Sequence, residues 1–247
     1  MIGKLGLVLE CAREGADEKV LKCLTRRLAP EIQLAPPQCM VSKEMLIKSG
    51  AEAAKLLLEA DRCDRVFVVW DLKPEWEEQK QLLDCKEECD LIAAKLDDLG
   101  IRENVDLICI VEMLETWIIA DDRALSTHLS RPPRNYAFKR IKAPESVADP
   151  KGLLISTFKQ TFRKTYRDHT DAVRVIQKCQ DSTRLERVSS FARFVTKLTG
   201  KQGTAFSRCG EVCNDLAPSG VFQPAQAVIL PAPIAKPVFK QKARPRR

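Results

Sequence analysis

Two apolar runs that each end in a carboxylate constrain this chain more than any other feature. LGLVLE (residues 5–10) and RVFVVWD (residues 65–71) are rich in the aliphatic residues of strands covered on both faces. Strands of that kind belong to parallel sheets, and in open α/β sheets ligands and ions gather just beyond the strands' carboxyl ends. Glu10 and Asp71 therefore stand where two acids can share one cation. The same two residues also suit strand-end turns that merely solubilise a loop.

The segments around these runs keep the alternation going. Residues 17–28 carry Val20, Leu21, Leu24 and Leu28 at helical spacing before Pro30 stops them. Residues 32–34 suit a short strand. Residues 42–60 repeat Leu46, Ala53, Ala54 and Leu57 every three or four positions, which predicts a second helix leading into the run that ends at Asp71. Pro74 opens a charged helix over residues 75–99, closed by Gly100, and DLICIV (residues 106–111) reads as a fourth strand. In EMLETWIIADDRAL a single helix would place Met113, Leu114, Trp117, Ile118 and Leu125 on an apolar face, with Glu112, Glu115 and Asp122 opposite. The order predicts an α/β fold: a mostly parallel, four-stranded Rossmann-like sheet with right-handed crossovers, flanked by helices.

The chain then changes character. Residues 1–129 form the α/β domain, proline-rich residues 130–150 an exposed loop, and residues 151–200 a helical extension packed on the core. Residues 201–247 end in a Pro/Ala-rich tail, expected to be mostly disordered. Six basic residues from Lys236 to Arg247, with no acid after Asp215, supply most of the formal charge of +7. A basic folded surface is therefore not implied by composition. No apolar stretch is long enough to span a bilayer and the first residues do not resemble a signal peptide, so a cytoplasmic protein without a membrane partner is expected. The ten cysteines then read mainly as thiols. Cys85 with Cys89, and Cys209 with Cys213, lie too far apart along the chain to suggest a zinc knuckle.

Several chemistries lack their signatures. There is no GxxxxGK[ST] loop, no GxGxxG after the first strand and no GxSxG elbow, so no nucleotide cofactor is expected. Two histidines leave little scope for imidazole catalysis. Carboxylates acting through a hard cation remain. Glu10, Asp71 and Glu115 follow the first, third and fourth predicted strands and could converge on Mg²⁺ or Mn²⁺, although acids such as Glu112 and Glu115 are also favoured in any first helical turn.

The segments LGLVLECAREGADEKVL, VFVVWDLKPEW, LICIVEMLETWIIADDRAL and SSFARFVTKL, in this order and spacing, resemble an uncharacterised bacterial Toprim-like family. It is a domain of unknown function related to the Toprim domains of overcoming-lysogenization-defect nucleases and often met near phage-defence ATPases. The resemblance covers roughly residues 1–200. It implies a Toprim-like fold and a Mg²⁺-dependent (or Mn²⁺-dependent) nuclease, or nuclease-like subunit, acting on the phosphodiesters of DNA or RNA, in a phage-defence setting with a partner ATPase. Glu10 matches the family's glutamate, Asp71 the first aspartate of its DxD pair, Glu115 a later acid, and Asp17 an acid after the first motif. Where the second aspartate should stand the chain has Lys73, which removes a metal ligand and puts a cation there. Lys73 could touch a scissile phosphate, or mark a non-catalytic adaptor that binds nucleic acid or the ATPase.

Local support for nucleic acid comes from TFKQTFRKTYRDH. Phe158, Phe162 and Tyr166 form one stripe at four-residue spacing, and Lys159, Arg163 and Arg167 form the next. A phosphate-contacting helix reads this way, as does a helix with an aromatic core face and a solvated basic one. Trp70, Trp76 and Trp117 flank the acidic segments; Trp117 is expected to wedge its helix against the sheet, and Trp76 to pack or to stack on a base.

Overall fold

The computed structural model describes residues 3–73 and 85–200. The first half of the 75–99 helix, Trp76, the Cys209/Cys213 pair and the basic tail lie outside the described residues. Five strands, all paired in parallel, form one sheet: β1 (Lys4–Leu9), β2 (Gln33–Leu34), β3 (Gln38–Cys39), β4 (Arg65–Asp71) and β5 (Val105–Ile110). Their order is β2-β1-β4-β5, with β3 also on β1. The fold is α/β with helices on both faces, as the alternation predicts, but with five strands instead of four.

The extra strand has a physical explanation. β2 pairs with the start of β1 (Lys4↔Gln33, Leu5↔Leu34) and β3 with its end (Val8↔Gln38, Leu9↔Cys39). Pro36 and Pro37 fall between them and have no N–H to give to a ladder, so one edge strand is cut into two short pieces. Neither piece is long enough to show a hydrophobic period.

Alternation along the central strands divides the apolar side chains between two layers. Leu5, Leu7, Leu9, Phe67, Val69, Ile108 and Ile110 face α1 (Ala16–Leu28) and the helices of the second half of the chain. Val8, Val66, Val68, Trp70, Val105 and Cys109 face α2 (Lys43–Glu59) and α3 (Cys85–Asp98). Local signals set the helix ends. Ser42 Oγ caps α2 by accepting from Met45 N–H at 3.3 Å, and Gly100, at φ 68°, ends the stretch after α3 in a left-handed turn. Cys85 is disulfide-bonded to Cys109, tying α3 to β5; Cys89 is not its partner, and Cys11, Cys23, Cys39, Cys63, Cys89 and Cys179 carry no disulfide.

The segment after β5, expected as one helix, is two: α4 (Glu115–Ala120) and α5 (Asp122–Leu129). Asp121 makes the break, because its carboxylate accepts from the N–H groups of Arg123 and Ala124, each at 3.0 Å, and so caps a new helix. After an irregular stretch come α6 (Pro150–Phe162), a single π-turn at Asp168–Ala172, α7 (Val173–Ile176) and α8 (Ser189–Thr199). These helices complete the sheet's own core. Arg27 of α1, buried, donates to the carbonyls of Ile176 (2.5 Å) and Cys179 (2.6 Å). Trp117 is fully buried, but α8 is its principal partner: Nε1 donates to Ser190 Oγ at 2.9 Å and its ring meets Phe191 edge-on at 5.0 Å. Among the described residues no helix is long and apolar enough to cross a membrane.

Phe194 of α8 lies 6.0 Å from Phe67 of β4 and 5.8 Å from Trp117 of α4, centroid to centroid, with no exposed surface. Phe194→Ala should therefore cost about 3–5 kcal/mol of folding stability, read by urea denaturation. A loss below about 1 kcal/mol would mean that α8 only decorates the sheet.

Candidate functional site

Parallel pairing puts β1 and β4 side by side in the register Leu5↔Arg65 to Leu9↔Val69, so Glu10 and Asp71 leave the sheet together. Glu10 Oε2 accepts the Asp71 N–H at 3.1 Å. β5 runs alongside β4 to Ile110, and the chain then turns through Glu112, whose φ of 65° is left-handed, to begin α4 at Glu115. From the other side, α1 brings Asp17 in its first turn.

The acids expected as site residues lie near enough to feel one another's repulsion. Burial raises the Asp71 carboxyl well above the usual carboxylate range, and Asp17, Glu10 and Glu115 push it further, against the pull of the Leu114 N–H. Glu115 is raised by burial and then by Asp17 and Asp168, against the pull of Lys151. Asp17 is raised by burial although it is hydrogen-bonded to Cys11. Glu10 is pushed up to about 7 by burial, against the pull of Lys43 and the Asp71 N–H. Asp71 as a whole is half-buried, yet its Oδ1 is sealed from solvent and accepts no hydrogen bond.

Two lysines approach this cluster, and both are bound to other acids. Lys43, buried, pairs with Glu88 at 3.2 Å and donates to the Leu72 carbonyl. Glu88 in turn accepts from Trp70 Nε1 at 2.7 Å, so Trp70 belongs to the supporting layer. Lys151, at the start of α6, pairs with Asp168 at 2.6 Å and is held above its usual value: burial opposes that shift, but Asp168, Glu115 and Asp71 outweigh it. Tyr166 places a buried hydroxyl without a hydrogen-bond partner in the same field; burial, Glu115 and Asp168 push its phenol far up.

Lys73 does not join the acids in the expected way. Its ammonium pairs with Glu112 Oε2 at 2.9 Å and its N–H donates to the Glu112 carbonyl at 2.7 Å, so its charge goes to the β5–α4 turn. The basic stripe is also corrected. α6 ends at Phe162, Arg163 takes a left-handed φ of 55°, and Arg167 only precedes the π-turn, so Lys159, Arg163 and Arg167 are exposed but share no helical face. The aromatic stripe survives as a cluster, with Phe158 5.8 Å from Phe162 and 5.1 Å from Tyr166.

Lys43, Lys151, Asp168 and Cys11 escaped the sequence reading. Each follows a turn or cap with no motif around it, and only the tertiary fold brings it to the acids. Hard oxygen donors and an orphaned buried carboxylate oxygen fit a divalent cation held at Asp71. As they stand, however, no three acid, thiol or imidazole groups among the described residues are close enough to ligate one ion. Comparison with protein-family models, curated proteins and solved structures finds no match to this chain.

The raised carboxyls give a signed pH effect. Below about pH 4.5 Glu10 is protonated both folded and unfolded, and it adds no penalty. As pH rises the unfolded chain loses this proton first, so stability falls until the folded carboxyl has also ionised, past about 7. Asp71, raised in the same direction, adds to the slope. Asp71→Asn should raise Tm by about 2–4 °C at pH 8, equivalent to ~1 kcal/mol, and by less at pH 5, in scanning calorimetry. An equal or negative shift at pH 8 would show that the cluster is not electrostatically strained.

Proposed function

We propose that the chain is a Toprim-like nuclease that hydrolyses nucleic-acid phosphodiesters with Mg²⁺ or Mn²⁺. One observation carries the reading: at the carboxyl ends of adjacent parallel strands, Asp71 holds a buried oxygen without a partner amid the repulsion of Asp17, Glu10 and Glu115. Burying that much negative charge is costly unless a cation or protons relieve it.

Asp71 and Glu115 would hold the ion, with Asp17 and Glu10 next to them. Once bound, a divalent ion neutralises charge on a phosphodiester and activates water. Glu10, titrating near neutrality, is suited to take the proton from the attacking water. Lys151 lends positive charge beside Glu115 and Asp71 while anchored by Asp168, and this would draw a phosphate toward the acids. The Lys43–Glu88–Trp70 network stiffens the floor beneath Glu10.

A second reading rests on Lys73. With a lysine where the family has an aspartate, and its ammonium on Glu112, the chain would be a non-catalytic adaptor that binds nucleic acid or a partner ATPase. Metal dependence separates the two. The nuclease should cut plasmid, single-stranded DNA or RNA only with Mg²⁺ or Mn²⁺, and Asp71→Asn and Glu10→Gln should each lower the rate at least about a hundredfold. Saturating Mg²⁺ should raise the Tm of the wild type, but not that of Asp71→Asn. Cleavage that survives both substitutions, or none with any metal, would overturn the nuclease.

A further inference from the structure

A second feature lies beside the acids, along the outer edge of the sheet. A cavity of about 620 Å³ opens between α1 and the proline-broken edge strand, bounded on one side by Pro36, Pro37, Gln38 and Cys39. Its other wall is basic. Arg13, from the turn after β1, stands at the end nearer the acids, and Glu18, Lys22 and Arg26 follow at successive four-residue steps down one face of α1.

The charges of this wall are unequally satisfied. Glu18 is fully engaged: Oε1 accepts from Lys22, and Oε2 accepts from the Glu14 N–H at 2.6 Å and the Cys39 thiol at 3.5 Å. Glu18 therefore neutralises Lys22. Arg13 has no ion-pair or hydrogen-bond partner among the described residues, and Arg26 Nη1 is shielded from solvent with no acceptor. Among the described residues two guanidinium groups are thus left without an acid on this wall, and Arg26 also holds a sheltered donor with no acceptor.

Cavity and acids are neighbours, separated by two thiols. The Cys39 side chain is hydrogen-bonded to Cys11, and Cys11 to Asp17 of the acid cluster. Arg26 lies ten residues past the first residue of α1, about 15 Å along its axis at 1.5 Å per residue, and Arg13 precedes that helix, so the two guanidinium groups come from opposite ends of the groove. An elongated anion with repeated charges fits, and its near end would lie at the acids.

We infer that this groove is a phosphate-binding subsite for a nucleic-acid strand, with Arg13 and Arg26 each gripping a backbone phosphate of the strand whose scissile bond enters the acid cluster. The inference rests on the nuclease reading for its choice of ligand. It adds that the strand is positioned by the β1–α1 edge of the sheet, and not by the Lys159, Arg163 and Arg167 side of the molecule. Both contacts are to phosphates, so they fix register without reading sequence.

The test is fluorescence anisotropy of a labelled single-stranded oligonucleotide across a salt series in EDTA, where metal-dependent contacts and cleavage are switched off. Arg13→Gln and Arg26→Gln should each weaken binding about tenfold, and each should lower the slope of log K against log salt by about 0.7. Asp71→Asn should bind as tightly as the wild type or tighter. Tm is measured for each variant, and Arg13, exposed on its turn, supplies a substitution that leaves the core intact. Unchanged affinity and slope in both arginine variants would overturn the groove and leave the nuclease reading standing. Arginine-dependent binding by a protein that cuts nothing with metal would keep the groove and overturn the nuclease. No strand binding, with an inorganic-phosphate rise in Tm that vanishes in Arg26→Gln, would overturn the nucleic-acid occupant in favour of free phosphate.

Discussion

Pairing of β1 with β4 imposes a problem that much of the remaining structure addresses. Because the strands are parallel and in register, their last residues emerge side by side, and here both are acids joined by the Asp71 N–H to Glu10 bond. An antiparallel partner would have carried Asp71 to the opposite end of the sheet. Once Glu10 and Asp71 are adjacent and half-buried, each neighbouring charge either relieves or aggravates them. The fold does both: Lys43 pulls the Glu10 carboxyl down, while Asp17 and Glu115 drive the Asp71 carboxyl up.

Such an arrangement is poor design for stability alone. Each lysine near the cluster is tied to an acid outside it, Lys43 to Glu88 and Lys151 to Asp168, so the central carboxylates remain under-compensated. A chain selected only to stay folded gains by replacing Asp71 with a neutral residue. Persistence of an orphaned carboxylate oxygen amid neighbouring acids is the kind of local cost that accompanies a ligand site. The opposite edge of β1 has the complementary imbalance, with Arg13 and Arg26 lacking acids to bind among the described residues. Under-compensated negative and positive groups thus lie on either side of one strand end.

The parts of the fold visible in the sequence are those with long uninterrupted periods. β1, β4, β5, α1 and α2 each carry enough apolar residues in phase to reveal type and approximate limits, and Glu10 and Asp71 were legible because they close such runs directly. Tertiary contacts decided the rest. The edge strand was half hidden because Pro36–Pro37 splits it, and α4 and α5 looked continuous because Asp121 caps a helix within an unbroken apolar phase. The Lys159, Arg163 and Arg167 stripe presumed that α6 continues past Phe162; left-handed backbone at Arg163 ends it. Lys151 and Asp168 had no local signature, because their relation to Glu115 arises only when α6 and the π-turn fold back over the sheet.

That return of the chain changes what counts as the site. Drawn from sequence, the acids belong to the α/β half and the later helices are an annex. In the structure Trp117, two residues beyond Glu115, is held by Ser190 and Phe191 of α8, so the annex fixes the helix that presents the acid. Lys151 and Tyr166 bring the annex's charge and hydroxyl into the field of the cluster. α1 is fastened from the same side, because Arg27, next to the groove-lining Arg26, is locked to the Ile176 and Cys179 carbonyls. The helices that close the core therefore also orient both the acids and the basic groove, and an α/β half cut off at residue 129 would keep the strand-end carboxylates but lose what aims them.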